Sequence, residues 1–197
     1  MAPSIDTATA KAALRERIIE NRRALDARGL SVAARALRDV VLAMPEVAQA
    51  QRVATYVSVG NEPGTGPLLE SLSAQGTDVL LPILLPDGDL DWATYTGPRG
   101  LVAASRGMLE PVSEALGPAA VTTADVVLAP GLAVDQRGVR LGRGGGSFDR
   151  ALARAGGRAF TCVLLYDGEV LDIPVPRELH DVPVTAAATP STVQLFA

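Results

Sequence analysis

The sequence predicts an α/β fold with a mostly parallel central sheet and helices on both faces, a Rossmann-like three-layer architecture. Three observations carry this prediction. Short, nearly continuous apolar runs at 78–85, 125–129 and 159–165 fit strands covered on both faces. Segments of helical period separate several of the strand candidates. The 197 residues are 48 % hydrophobic and 20 % charged, a globular composition sized for one domain over 1–197.

Thr7 or Thr9 caps a first helix running to about Leu25, with Leu14, Ile18 and Leu25 as its apolar stripe. Lys11, Arg15 and Arg22 share a neighbouring face of it. Gly29 is expected to end this helix. Ser31 then caps a second one to about Ala43, stopped by Pro45. Arg52–Val57 is a strand rich in β-formers. Pro67–Gln75 is a helix closed by Gly76, and Asp78–Leu85 is a buried strand. Asp91–Thr96 alternates and reads as its hairpin partner. After the buried strand Asp125–Ala129, Pro130-Gly131 turns the chain. Phe148–Arg154 reads as a helix, Ala159–Leu165 as a further buried strand, and Val182–Ala188 and Val193–Phe196 close the chain. Sheets of this kind bind ligands beyond the carboxyl ends of their strands. That singles out the loops after Val57, Leu85 and Ala129, and the start of the helix near Phe148.

Lys11, Trp92, Cys162 and His180 are each the sole residue of their type, and 17 of the 18 basic residues are Arg. One Cys forms no intrachain disulfide, and one Cys with one His builds no Cys/His zinc cage. No Gly-x-Ser-x-Gly elbow accompanies His180. No apolar run approaches the roughly 20 residues of a membrane helix. The first residues lack the basic-then-apolar order of a signal peptide. A cytoplasmic protein without membrane contact is therefore expected. The net charge of −4 argues against a nucleic-acid partner. The charge is unevenly spread, however. Residues 11–38 carry eight basic residues, 137–158 carry six, and 53–98 carry none against six acids. Two basic segments in an acidic chain point to a local anion site.

The most informative segment follows the Pro130-Gly131 turn and a short hairpin around Gly138. It reads Arg-Leu-Gly-Arg-Gly-Gly-Gly-Ser-Phe-Asp over 140–149, directly before a helix. Glycines let backbone N–H groups approach an anion, and a helix start adds unpaired N–H groups and its dipole. Arg140 and Arg143 offer planar donor forks for phosphate oxygens. Asp149 stands where it can hold a Mg²⁺ ion bridging phosphates. No Gly-Lys-Ser/Thr follows, so the loop is not a Walker A motif, and its spacing is not that of a dinucleotide fingerprint. A plain glycine-rich turn with a first-turn acid is the bland alternative.

This segment is similar to the signature of the 5-formyltetrahydrofolate cyclo-ligases, also called 5,10-methenyltetrahydrofolate synthetases. That signature runs approximately Pro-Gly-(small/apolar)-Ala-Phe-Asp, then Gly-x-Arg-Leu-Gly-x-Gly-x-Gly-Tyr-Tyr-Asp-Arg. The chain keeps Pro130, Gly131, Ala133, Asp135, Gly138, Arg140, Leu141, Gly142, Gly144, Gly146, Asp149 and Arg150. It departs at Val134, and at Ser147 and Phe148, which replace two tyrosines. Lys11, Leu14 and Arg15 resemble the family's first helix, and Tyr56–Thr65 resembles the loop holding its substrate-binding Glu, here Glu62. Gly107, Glu110 and Pro111 resemble a Gly-x-x-Glu-Pro element, and His180, Asp181, Pro183 and Thr189 the closing His-Asp-x-Pro…Thr stretch.

The resemblance implies an ATP- and Mg²⁺-dependent ligase that closes 5-formyltetrahydrofolate to 5,10-methenyltetrahydrofolate, with ADP and phosphate as by-products. Phosphorylation of the formyl oxygen would turn a poor leaving group into a good one before N10 attacks. It implies ATP contacts from Lys11, Arg15, Arg140, Gly142, Arg143, Gly144, Gly145, Gly146, Ser147, Phe148 and Asp149. Arg140, Arg143 and Asp149 would act in catalysis, and Asp149 and Asp181 would be the Mg²⁺ ligands. Glu62 would bind the pterin, with Tyr56, Trp92, Met108 and Phe148 lining an apolar folate slot. Cys162 is expected in the core. The expected partner is the small-molecule folate alone, with the chain a monomer or weak homodimer. Two alternatives stay open: a catalytically weak folate- or nucleotide-binding paralogue, and a sugar-phosphate isomerase or acyl-transferase relative of the same fold class.

Overall fold

The computed structural model describes residues 6–196. Helix α1 spans Thr7–Arg23 and α2 spans Ala27–Leu42. The break between them falls earlier than Gly29, because the Asp26 carboxylate accepts the Gly29 N–H at 2.7 Å and caps α2. Gly29 and Ser31 therefore lie inside α2, and Leu25 leaves the apolar stripe to stand 36 % exposed. Pro45 starts a short helix, α3 (Pro45–Ala48), at a position where its missing N–H is no loss.

The remaining elements are β1 (Arg52–Ala54), α4 (Gly66–Ala74), β2 (Asp78–Leu84), β3 (Leu90–Thr94), β4 (Leu101–Ala103) and β5 (Leu109–Pro111). They continue with β6 (Val126–Pro130), β7 (Ala133–Asp135), β8 (Arg140–Leu141), α5 (Ser147–Ala155), β9 (Phe160–Leu164), β10 (Val170–Leu171), β11 (Ala186–Ala188) and β12 (Val193–Leu195). Seven strands form one sheet in the order β12-β11-β9-β6-β1-β2-β3. Its five central strands run parallel, and β3 and β12 close the two edges antiparallel. The expected hairpin around Gly138 is the β7–β8 pair, which β10 extends into a small sheet; β10 and the β4–β5 hairpin were not anticipated, because strands of two or three residues leave no readable period.

Side chains on the central strands alternate between two cores, although both faces are apolar. Val53, Val79, Leu81 and Leu128 pack with Leu37, Val41, Leu68 and Leu72 of α2 and α4. Ala54, Leu80, Val127 and Val163 pack on the opposite face with Ala151, Leu152 and Ala155 of α5. The three-layer expectation is met. Ile18 of α1 packs separately on Leu132, Val139 and Leu141 of the small β10-β7-β8 sheet. Among the described residues no helix is long and apolar enough to cross a membrane.

Chain order reverses between β1 and β6: β2 lies on one side of β1, and β6, β9 and β11 succeed one another on the other. At such a switch point the loops leaving neighbouring strands diverge and open a crevice. Residues 55–57, expected as strand, lie past the end of β1, where Thr55 keeps one bond from its N–H to the Leu80 carbonyl at 2.9 Å. The tight β7–β8 hairpin enters the same region. Its turn residue Gly138 has φ +74°, and a Cβ there would lie 2.3 Å from the Val184 carbonyl oxygen. Gly138→Ala is expected to lower stability by at least ~2 kcal/mol in urea unfolding. A loss under ~0.5 kcal/mol would contradict this account of the hairpin.

Candidate active site

The crevice at the switch point holds a cavity of about 390 Å³, within the range of small-molecule sites. One wall is apolar, built from Tyr56, Leu84, Leu90, Met108 and Phe148. The other end is polar, built from Arg140, Arg143, Asp149 and the glycine run 142–146.

Arg140 organises the polar end. It leaves the β7–β8 hairpin and is 4 % exposed. Its Nη1 donates to the Pro130 carbonyl at 2.9 Å and its Nη2 to Asp149 Oδ1 at 2.8 Å. These bonds tie the end of β6, the hairpin and the first turn of α5 to one guanidinium. Its Nε is buried without a partner among the described residues. The glycine loop passes directly over it: a Cβ on Gly142 would meet Arg140 Nη1 at 2.8 Å. Arg15 of α1 closes over the same loop, donating to the Gly142 carbonyl at 2.9 Å and lying against Gly144. Gly146 caps α5 in the left-handed region, with no side-chain acceptor on the first-turn N–H groups. A backbone of this kind, with a helix start and two arginines, fits phosphate oxygens.

Asp135 holds the hairpin that carries Arg140. It is buried, and it accepts from Arg137 Nη2 at 2.7 Å and from the N–H groups of Arg137, Val139 and Val175 at 2.9–3.1 Å. Burial works to raise its pKa, yet these donors together hold it below the usual aspartate range.

Glu62, far from the glycine loop in sequence, reaches it in space. Its Oε1 accepts from Arg143 Nε at 2.8 Å, and its Oε2 accepts from the Val59 N–H at 2.9 Å. Tyr56 is buried on the apolar wall, where loss of solvent pushes its hydroxyl well above the usual range. Phe148 stands edge-on to Tyr56 and to Trp92, with both ring centroids 6.2 Å away. Trp92 itself is 0 % exposed and does not line the cavity, contrary to expectation. It sits in the core on the α5 side of the sheet, in the same cluster as Leu90, which lines the cavity. The Ser147 hydroxyl is also committed, donating to the Gly88 carbonyl at 2.6 Å and docking the β2–β3 turn on α5.

Lys11 and Asp181 are placed differently from the expectation. Lys11 is 3 % exposed and pairs with Asp181 at 2.5 Å and Glu178 at 2.7 Å, one helical turn before Arg15. Asp181 also accepts the Glu178 N–H at 2.6 Å. It does not join Asp149 at the cavity, because the buried ammonium of Lys11 draws the 178–181 segment onto α1. Burial works against the Lys11 charge, but the two carboxylates outweigh it and raise its pKa above 10.5. Asp181 is lowered below 3.8, since the Glu178 N–H and Lys11 outweigh its burial. Cys162 lies in the core as expected, and burial pushes its thiol up to about 12.

Asp149 keeps Oδ2 outside every hydrogen bond recorded among the described residues. One such carboxylate beside an anion cradle fits a Mg²⁺ ion, which takes most of its ligands from phosphates and water. Asp181, committed to Lys11, does not fit that role. Arg22, Asn61, Tyr166 and Glu169, which back the cavity, were not anticipated as site residues. Only Arg22 gave a signal, through the face it shares with Arg15.

The description "5-formyltetrahydrofolate cyclo-ligase family" belongs to the family model that matches residues 7–190. The chain belongs to that family. A 5-formyltetrahydrofolate cyclo-ligase of Mycolicibacterium smegmatis is 39 % identical over 185 residues, covering 91 % of this chain and 93 % of that protein. One from Escherichia coli K12 is 33 % identical over 162 residues, covering 78 % and 85 %. The NMR structure of a 5,10-methenyltetrahydrofolate synthetase from Aquifex aeolicus superposes with a TM-score of 0.80 at 25 % identity, over 94 % of this chain and 92 % of the other. A Mycoplasma pneumoniae synthetase, 19 % identical, shares the fold with a TM-score of 0.71 over 91 % and 98 %.

The Lys11 cluster generates a stability test. The depressed Asp181 pKa means its contribution is present above pH 3.8 and lost as pH falls through its folded value. The raised Lys11 pKa means its contribution is present below pH 10.5 and lost as pH rises through its folded value. Lys11→Met should therefore lower the thermal midpoint most near neutrality, and the gap to wild type should shrink below about pH 4. A gap of constant size down to about pH 2.5 would contradict the pairing.

Proposed function

We propose that this chain closes 5-formyltetrahydrofolate to 5,10-methenyltetrahydrofolate at the expense of ATP, releasing ADP and phosphate. One observation carries the reading. The Arg143–Glu62 contact joins the glycine-rich loop and Glu62, the carboxylate that the sequence resemblance assigns to the folate, in a single cavity. The family and its cyclo-ligase relatives support the same assignment.

In this reading the cavity is divided along its length. Phosphates lie over the glycine loop, and the folate ring lies on the apolar wall. The formyl group then meets the phosphoryl group near Arg143 and Glu62. Bound Mg·ATP supplies the phosphoryl group and the divalent charge that neutralises it. Arg140, fixed by Pro130 and Asp149, presents donors that need no rearrangement as charge develops. Arg143 is 55 % exposed at its side chain, free to turn from Glu62 to a phosphoryl oxygen. Released from Arg143, Glu62 accepts N–H groups of the reduced pterin. Asp149 would hold Mg²⁺ through its second oxygen, the first being bound to Arg140. Arg15 steadies the loop from behind, and Lys11 contributes a phosphate contact by exchanging one of its carboxylates for a phosphate oxygen. Once the formyl oxygen carries phosphate, N10 attacks the formyl carbon, the C–O bond breaks and phosphate leaves. The protein chiefly positions the reactants and stabilises charge.

The same reading makes the chain a cytoplasmic enzyme, monomeric or weakly dimeric, with a small-molecule partner. Binding without efficient turnover is the second reading, and one observation favours it: neither Ser147 nor Phe148 presents a free hydroxyl to the cavity. The decisive assay mixes the chain with Mg·ATP and 5-formyltetrahydrofolate and follows the absorbance of the methenyl product. Product that requires ATP supports the proposal, and none above a protein-free control overturns it. Asp149→Asn is expected to lower kcat about 10²-fold and to raise the Mg²⁺ concentration needed. An unchanged Mg²⁺ requirement would remove Asp149 from its role.

A further inference from the structure

Behind the cavity lies a buried charged network that the proposed chemistry does not use. Arg22 of α1 is 4 % exposed. Its Nε and Nη2 each reach one oxygen of Glu169 at 2.7 Å. The same Nη2 donates to the Gly131 carbonyl at 2.8 Å, and Gly131 lines the cavity at the end of β6. Glu169 Oε2 also accepts the Tyr166 N–H at 2.8 Å. The Arg22 guanidinium lies 5.3 Å from the centre of the Tyr166 ring, so the ring packs against the charge. The Tyr166 hydroxyl donates to the Glu62 carbonyl at 3.0 Å. One residue earlier, Asn61 Nδ2 donates to the Arg22 carbonyl at 2.9 Å.

These bonds share a direction. They start on α1 and the connection between β9 and β10, and they end on two cavity walls: Gly131 and the turn that carries Glu62. That turn belongs to no strand or helix, and the Glu62 carboxylate faces the cavity from it. Within the turn the Glu62 N–H donates to the Val59 carbonyl at 3.2 Å, and Ser58 and Thr65 each accept the other's N–H; Tyr166 and Asn61 tie its Glu62 end to the network behind. A buried ion pair is weak evidence for stability, since an apolar pair of similar volume does as well. Its rigid fork does something an apolar pair cannot, which is to fix the direction of each bond it makes.

We propose that Arg22, Glu169 and Tyr166 are positioning residues for the Glu62 turn, and that Tyr166 governs folate affinity through Glu62 without touching the substrate. The proposal rests on the reading of Glu62 as the folate-binding carboxylate. Burial pushes the Tyr166 hydroxyl up to about 12, so it remains a hydrogen-bond donor across the neutral range.

The test is a double-mutant cycle read by calorimetry, with 5-formyltetrahydrofolate and, separately, ADP as ligands. Tyr166→Phe keeps the ring against Arg22 and removes one donor. It should weaken folate binding about three- to tenfold and leave ADP binding within about twofold. Glu62→Gln should weaken folate binding on its own. In the double variant the Tyr166 change should add nothing further, because its effect passes through Glu62. Independent, additive losses would overturn the proposal, as would equal losses for folate and ADP or no loss in Tyr166→Phe. If Glu62→Gln binds folate as wild type does, the reading of Glu62 fails, and the proposal falls with it. Thermal midpoints measured alongside separate a folding defect, which weakens both ligands together, from the selective loss of folate.

Discussion

The site depends on one desolvated ion pair, Arg140 with Asp149. A guanidinium that is 4 % exposed is tolerated because its donors meet the Pro130 carbonyl and the Asp149 carboxylate at hydrogen-bonding distance. Three chain segments converge on it. The end of β6 supplies the carbonyl, α5 supplies the carboxylate, and the β7–β8 hairpin supplies the arginine itself. The glycine loop crosses the guanidinium so closely that a side chain at Gly142 would collide with it. The loop is therefore held by what lies beneath it, and its donors stand ready for the phosphate proposed to lie above.

Charge does the docking of α1 as well. The helix buries Lys11, Ile18 and Arg22, so two of its three buried residues are cations. Lys11 gathers the 178–181 segment, and Arg22 gathers Glu169 and the Gly131 carbonyl. Arg15, on the turn after Lys11, reaches the glycine loop. One helix thus contacts the loop and braces the turn that carries Glu62. Cations so buried cost more than apolar residues would unless each is paired. What they add is directional contact between segments far apart in sequence, at a crevice that an α/β sheet opens at its switch point.

Much of this was readable in the amino acids. The apolar runs located the parallel strands, and the switch-point rule located the crevice. The coincidence of Arg140, Arg143, three glycines in a row and Asp149 before a helix located the polar end of the cavity. What escaped had physical reasons. The strands β4, β5 and β10 are too short to show a period. The Asp26 cap outweighed the glycine stop at Gly29. An aromatic residue in an apolar run does not reveal whether it faces a cavity or the core: Trp92 faces the core, while Phe148 and Tyr56 line the cavity. The partners of Lys11 and Arg22 lie 147 to 170 residues away, at Glu178, Asp181 and Glu169, beyond any local pattern.

Arg140→Lys tests the central claim most directly. Lysine keeps the positive charge but lacks the fork that reaches Pro130 and Asp149 together. Calorimetry with ADP and Mg²⁺ should show affinity lowered by about tenfold or more in a protein that still folds. Wild-type affinity in Arg140→Lys would show that charge alone suffices, and would contradict the claim that this guanidinium organises the site.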